Sequence, residues 1–256
     1  MSIDYEKDGH IAVVRINRPE AMNCLNQADA EEMGRVWIEF RDDDHMRVAI
    51  LTGAGDKAFC AGADLGDLIP KINSGEFPIS PTFPGILKNL KCYKPIIAAI
   101  NGYCLAGGTE ILQGTDIRIA VEEAVFGLPE VQLGLFPYGG STVRLPRQIP
   151  YCWAMEILLT GDSITAEQAL KIGFINRIVP SGELMPTAMA IADRLNNNGP
   201  LALKAIKESV LKSYDIPKEH AYFLEAFLAK QVFGTRDAIE GPKAFFEKRK
   251  PVFEGK

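Results

Sequence analysis

Four short runs rich in β-branched residues constrain the fold more than anything else in the sequence. They are IAVVRI at 11–16, VAILT at 48–52, IIAAI at 96–100 and IRIA at 117–120, each bounded by turn residues. Apolar residues fill both side-chain parities of these runs, the pattern of strands covered on both faces. Between the first two runs, residues 26–42 place Met33, Val36, Trp37 and Phe40 at helical spacing, which predicts an amphipathic helix. Strand, helix, strand, Gly-rich loop and strand again is the order of a layered α/β protein. Residues 66–94 mix Pro, Gly, Ser and Lys without a clear period and read as a long insertion, mobile in part.

From Tyr151 onward the texture becomes helical. Successive helices are predicted over YCWAMEILLTG, TAEQALKIG, LMPTAMAIADRL, PLALKAIKESVL and KEHAYFLEAFLAKQVFG, with Thr165 as an N-cap and Gly161 and Gly173 as C-caps. The break NNNGP at 196–200 suggests a division into a core, 1–195, and a helical C-terminal segment, 196–256. Apolar residues lie on more than one face of the last helices, so this segment is expected to pack on another subunit.

Charge and cysteine content narrow the partners. Lys and Arg number 28 against 33 Asp and Glu, a net charge of -5 that disfavours a broad nucleic-acid surface. An anionic ligand must then be met by a few local donors. The five cysteines include no CxxC pair, which points to reduced thiols and neither a disulfide framework nor a zinc site. The polar start MSIDYEKDGH carries no leader pattern and no apolar stretch is long enough to span a bilayer, so a cytoplasmic protein is expected.

Two segments echo each other. Residues 60–65 (CAGADL) and 105–110 (LAGGTE) both follow a strand and run from small residues and Gly into an acidic residue. Two readings are open: a pair of ordinary Gly-rich turns, or two helix starts whose N–H groups converge on one oxygen. Other motifs fail on context. The G-x-G-x-x-A of residues 53–58 is followed by a poor helix start and by no strand-end acid, so a turn fits better than a dinucleotide site. Ser141 lies in GGST and not in G-x-S-x-G. His10, His45 and His220 stand alone, and no metal-ligand spacing appears. Carboxylates and backbone donors remain as the available catalytic groups.

The segments NRPEAMN (17–23), AFCAGADL (58–65), AINGYCLAGGTE (99–110), FGLPE (126–130), LTG (159–161), ALKIGFIN (169–176) and AFFEKR (244–249) together resemble the crotonase (enoyl-CoA hydratase/isomerase) family, in order and across nearly the whole chain. The resemblance implies an α/β spiral of ββα turns with a helical C-terminal trimerisation region, and a homotrimer or a hexamer built as a dimer of trimers. It implies an enoyl-CoA hydratase that adds water across the 2,3 double bond of an acyl-CoA thioester. No cofactor is implied beyond the coenzyme A of the substrate, and no metal, membrane or nucleic-acid partner.

By the same resemblance, the N–H groups of Ala63 and Gly107 form an oxyanion hole, and Glu110 and Glu130 hold a water between them. Ala61, Gly62, Asp64, Leu65 and Gly66 lie along the CoA moiety, and Phe245 with Lys248 reaches a CoA phosphate, in many members on a neighbouring subunit. The chemistry is coherent. Addition at the β-carbon moves charge onto the thioester oxygen, where a lost backbone donor costs about 3 kcal/mol. Two carboxylates in one poorly solvated site have their pKa values pushed apart, so one serves as base and one as acid. The loop after Glu130 departs from the family pattern, with Phe136 and with Tyr138 where Gly is common. Either the Tyr138 ring narrows the acyl pocket or it packs in the core beside Phe136. Retention of both glutamates favours hydration over double-bond isomerisation and over non-catalytic CoA-ester binding; hydrolysis or decarboxylation on the same scaffold stays open as a lesser alternative, and the acidic balance disfavours an RNA-associated homologue.

Overall fold

The computed structural model describes residues 2–78, 88 and 90–256. The chain opens with β1 (Ile3–Asp8) and β2 (Ile11–Ile16), paired antiparallel. The first of these is absent from the sequence expectation, which treats residues 1–10 as a polar lead-in. Only Ile3 of β1 is buried, so this edge strand lacks the apolar signature that marks its neighbours. Helix α1 (Gln27–Asp42) follows, started by a reciprocal capping box between Asn26 and Asp29. Its buried face includes the expected Met33, Val36, Trp37 and Phe40, with the Trp37 and Phe40 rings edge to face at 5.9 Å.

Three turns of a spiral come next. They are β3 (Val48–Gly53), β4 (Ala58–Cys60) and α2 (Leu68–Ser74); β5 (Ile96–Ile100), β6 (Tyr103–Leu105) and α3 (Gly107–Leu112); then β7 (Ile117–Val121), β8 (Val125–Gly127), the 3-10 turn Pro129–Leu133 and α4 (Ser141–Gln148). The remainder is α5 (Tyr151–Thr160), β9 (Ile164–Thr165), α6 (Ala166–Lys171), β10 (Arg177–Val179), α7 (Leu184–Asn196), α8 (Pro200–Ser213), α9 (Lys218–Val232) and α10 (Arg236–Phe246). The helices expected from Tyr151 onward are all present. Thr165 caps α6 through a capping box with Gln168, and Gly161 and Gly173 take left-handed φ at helix ends.

Each turn gives one strand to each of two sheets. The larger has the order β1-β2-β3-β5-β7-β10, parallel from β2 onward, and the smaller has the order β4-β6-β8-β9, parallel up to β8. The spiral of ββα turns is the predicted architecture. Helix α7 lies across β3, β5 and β7, which explains why those strands are apolar on both faces.

The expected 66–94 insertion needs correction: residues 68–74 are helical, and residues 79–87 and 89 lie outside the described residues. The G-x-G-x-x-A segment is a turn that leads into β4. Asn101 Nδ2 donates to the carbonyls of Gly53, Gly55 and Ala58 at 2.8–3.1 Å, and Asn23 Nδ2 donates to Ala54 and Ala58 at 3.0 and 2.6 Å. A Cβ on Gly53 would lie 2.3 Å from the Ala58 oxygen, so the tight backbone approach accounts for that glycine. No helix among the described residues is long and apolar enough to cross a membrane.

Candidate active site

The parallel strands of the smaller sheet end at one place. Ala63 follows β4, Gly107 follows β6 and Glu130 follows β8, and all three line one cavity of about 1010 Å³ together with Glu110. The echoed Gly-rich segments therefore resolve as two donor loops side by side. A Cβ on Gly107 would sit 3.5 Å from the Ala63 nitrogen, and one on Gly62 would sit 2.7 Å from Ala106 Cβ. Gly62, at φ 103°, is needed for both its conformation and this approach.

Neighbouring amides are used up so that these two stay free. Leu25 N–H donates to the Gly62 carbonyl and Asp64 N–H to the Leu25 carbonyl, each at 2.8 Å. Gly107 is the first residue of α3, where an N–H has no intrahelical acceptor. No acceptor among the described residues takes up either the Ala63 or the Gly107 N–H. Ala106, just before α3, is held at φ 49° and ψ -124°, a sparsely populated region for a residue with a Cβ. Its N–H donates to Gly127 O at 2.9 Å, and Thr109 Oγ1 lies 2.5 and 2.9 Å from Cys104 O and Gly127 O, with its single proton shared between them, which over-determines the turn.

The two glutamates meet different surroundings. Glu110, in the first turn of α3, is buried, and burial raises its pKa. The backbone amides of Ser141 and Gly139, the Ser141 side chain and the Lys88 ammonium oppose that rise. Ser141 N–H donates to Glu110 Oε1 at 3.2 Å. Glu130, on the 3-10 turn, has a buried Oε2 with no hydrogen-bond partner among the described residues. Burial, with the charge of Glu110 adding to it, pushes its carboxyl up to about 7. Glu110 is thus the better-supported anion and Glu130 the better proton holder at neutral pH.

The remaining expected site residues divide. Ala61, Gly62, Leu65 and Tyr138 line the cavity. Asp64 and Gly66 do not line it: Asp64 accepts from Arg18 at 2.6 Å and from Gly66 N–H at 2.9 Å, and faces an adjoining polar depression with Lys71. Phe245 lies on α10 and Lys248 just beyond it, both exposed and away from the cavity. Tyr138 is half-buried in the cavity wall beside a largely exposed Phe136, and the Lys88 ammonium sits over its ring, 3.6 Å from the centroid. Sequence reasoning missed Leu68, Ile69 and Ile72 of α2, which form the opposite apolar wall, and the clamp on Glu110 from residues 139–141. The apolar spacing in α2 is a signal, obscured by Pro70; Gly139 and Ser141 carry none. Among the described residues no group of His, Cys, Asp or Glu is arranged to hold a metal ion.

The family model for enoyl-CoA hydratase/isomerase matches residues 6–256 of this chain. Enoyl-CoA hydratase EchA19 of Mycobacterium tuberculosis is 43% identical over 98% of this chain and 96% of its own length. The carnitinyl-CoA dehydratase of Escherichia coli K12 is 39% identical, over 100% of this chain and 99% of its own. Among solved structures, an enoyl-CoA hydratase from Bacillus anthracis superposes with a TM-score of 0.94 at 35% identity, covering 100% of both chains.

Proposed function

The chain belongs to the enoyl-CoA hydratase/isomerase family, and from that premise we propose that it is a hydratase converting a 2-enoyl-CoA thioester to a 3-hydroxyacyl-CoA. The thioester oxygen accepts from the Ala63 and Gly107 amides. Glu110, as carboxylate, takes a proton from a water whose oxygen bonds to C3. The C2–C3 π electrons shift toward the carbonyl as an enolate, whose charge the two amides stabilise. Protonated Glu130 then delivers its proton to C2. Exchange with solvent returns Glu110 to the anion and Glu130 to the acid.

The observation that carries this reading is the contrast between the two carboxyls on one cavity, Glu110 held by several donors and Glu130 with its own backbone amide as donor and its buried Oε2 without a partner among the described residues. An isomerase moves a single proton between two carbons and has no use for a second carboxylate held ready as base. Carnitinyl-type substrates demand the same hydration chemistry on a cationic acyl group. Here the aromatic face of Tyr138 that would attract such a cation already carries the Lys88 ammonium. A neutral acyl group is the better match to Leu68, Ile69, Ile72 and Phe136.

The enzyme needs no cofactor apart from the substrate's own coenzyme A. In the proposed homotrimer, or hexamer of two trimers, the exposed Phe245 and Lys248 of one copy serve the nucleotide end of a CoA bound to another. The direct test is loss of enoyl-thioester absorbance on addition of crotonyl-CoA, abolished in Glu110→Gln. Saturable binding with no absorbance change for any enoyl-CoA would defeat the proposal and leave a CoA-ester binder.

A further inference from the structure

The Glu110 carboxylate does not stand alone against α4. Ser141, fully buried at the start of that helix, gives its N–H to Glu110 Oε1, and its hydroxyl lies beside the same carboxylate. The Ser141 hydroxyl oxygen is itself held by Gln113 Nε2 at 2.7 Å, from the C-terminal end of α3. With its lone pair taken by that amide, the hydroxyl has its proton free for the carboxylate. Gln113 is anchored through its backbone: its main-chain carbonyl accepts from Gln148 Nε2 at 2.9 Å, and Gln148 Oε1 accepts from the buried Arg118 at 2.8 Å, while the Gln113 side-chain Oε1 is buried with no hydrogen-bond partner among the described residues. The chain Arg118–Gln148–Gln113–Ser141 ends at a Glu110 oxygen, and none of its four members lines the substrate cavity.

We propose that Ser141, fixed by Gln113, is the positioning residue that orients Glu110 toward the attacking water and keeps it ionised in its buried site. The proposal rests on the hydratase reading for the role of Glu110, but the orientation and ionisation of that carboxyl are properties of the resting protein. The charged groups facing Glu110 are Lys88 from the segment before β5, Arg144 from α4 and Glu130 from the 3-10 turn. None of these replaces a neutral donor aimed at one oxygen. Ser141→Ala keeps the N–H bond and removes only the hydroxyl.

The sign of the expected shift is fixed. A donor removed from a carboxylate favours its protonated form, so the Glu110 pKa rises and the acidic limb of the kcat/KM profile moves to higher pH. Ser141→Ala and Gln113→Leu should each move that limb up by about one unit, which lowers kcat/KM by up to about tenfold on its acidic side and leaves it near the parent value on the plateau, with KM for CoA esters within about twofold. The double variant should be no worse than Ser141→Ala alone, because both remove the same contact. Carbon-13 NMR titration of glutamate-labelled protein, assigned with Glu110→Gln, reads the carboxyl directly without turnover. If no enoyl-CoA ester is hydrated, the hydratase reading falls while this titration still decides the role of Ser141. A Glu110 titration and a pH limb unmoved in both single variants would overturn the proposal, whatever their melting temperatures.

Discussion

Gly139 passes so close to Glu110 that a Cβ placed on it would lie 2.4 Å from Glu110 Oε2 and 2.7 Å from its Cδ. The atoms in the way belong to the end of a flexible side chain. Gly139→Ala is therefore expected to fold, with the carboxylate displaced to make room. A shift of about 1 Å at a reacting group costs on the order of a hundredfold, so kcat should fall by about that factor while melting temperature changes little. Activity within threefold of the parent would mean that the carboxylate has freedom the packing denies it.

Glu130 links activity to stability with opposite signs. Its folded pKa, raised to about 7, lies above the ordinary carboxylate value, so the folded state is favoured while the group is protonated. That stability is fully present below about pH 4 and is lost as pH rises through 7, to the extent of about 3 kcal/mol. Glu130→Gln should accordingly raise the melting temperature near pH 8, have little effect near pH 4, and abolish hydration at both. With the two glutamates acting as a unit, as proposed, Glu110→Gln with Glu130→Gln should lose far less than the product of the single losses. Thermal unfolding of the parent and Glu130→Gln across that range checks the sign.

Tyr138 in the cavity wall, with Lys88 over its ring, is proposed to set the acyl preference. Tyr138→Gly should open the wall and shift relative kcat/KM between short and bulky enoyl-CoA esters by about tenfold or more. Lys88→Met removes the cation from the ring and should improve the relative rate for a trimethylammonium-bearing enoyl-CoA over crotonyl-CoA. An unchanged ranking in both folded variants would place selectivity on α2 instead.

Lys248 should matter only for the nucleotide. Lys248→Ala is expected to raise KM for CoA esters, leave kcat nearly unchanged and spare pantetheine esters that lack the phosphates. Equal losses for both ester types would remove the phosphate role.

The central strands were legible because burial on both faces leaves a mark that needs no partner to interpret. Strands β4, β6 and β8 are three residues each, too short for any period, yet their ends deliver Ala63, Gly107 and Glu130. The pairing of Glu110 with Glu130 came through family resemblance; no local spacing reveals that a 3-10 turn after β8 faces the start of α3. Ser141 and Gly139 were invisible for a different reason. A buried hydroxyl and a missing Cβ announce chemistry only when the carboxylate beside them is located.

Ala63, Gly107 and Glu130, two amides and a carboxyl at successive strand ends, form a column, one rung per turn of the spiral. Each rung is hydrogen-bonded to the next through backbone, so the side chain it displays is nearly independent of what holds the column upright. On such a ladder the acid at one rung can be exchanged, or the loop beyond it resized, without disturbing the backbone amides that the other two rungs present. New reactions on the same carrier are then reachable by a few substitutions at addresses the architecture has already set aside.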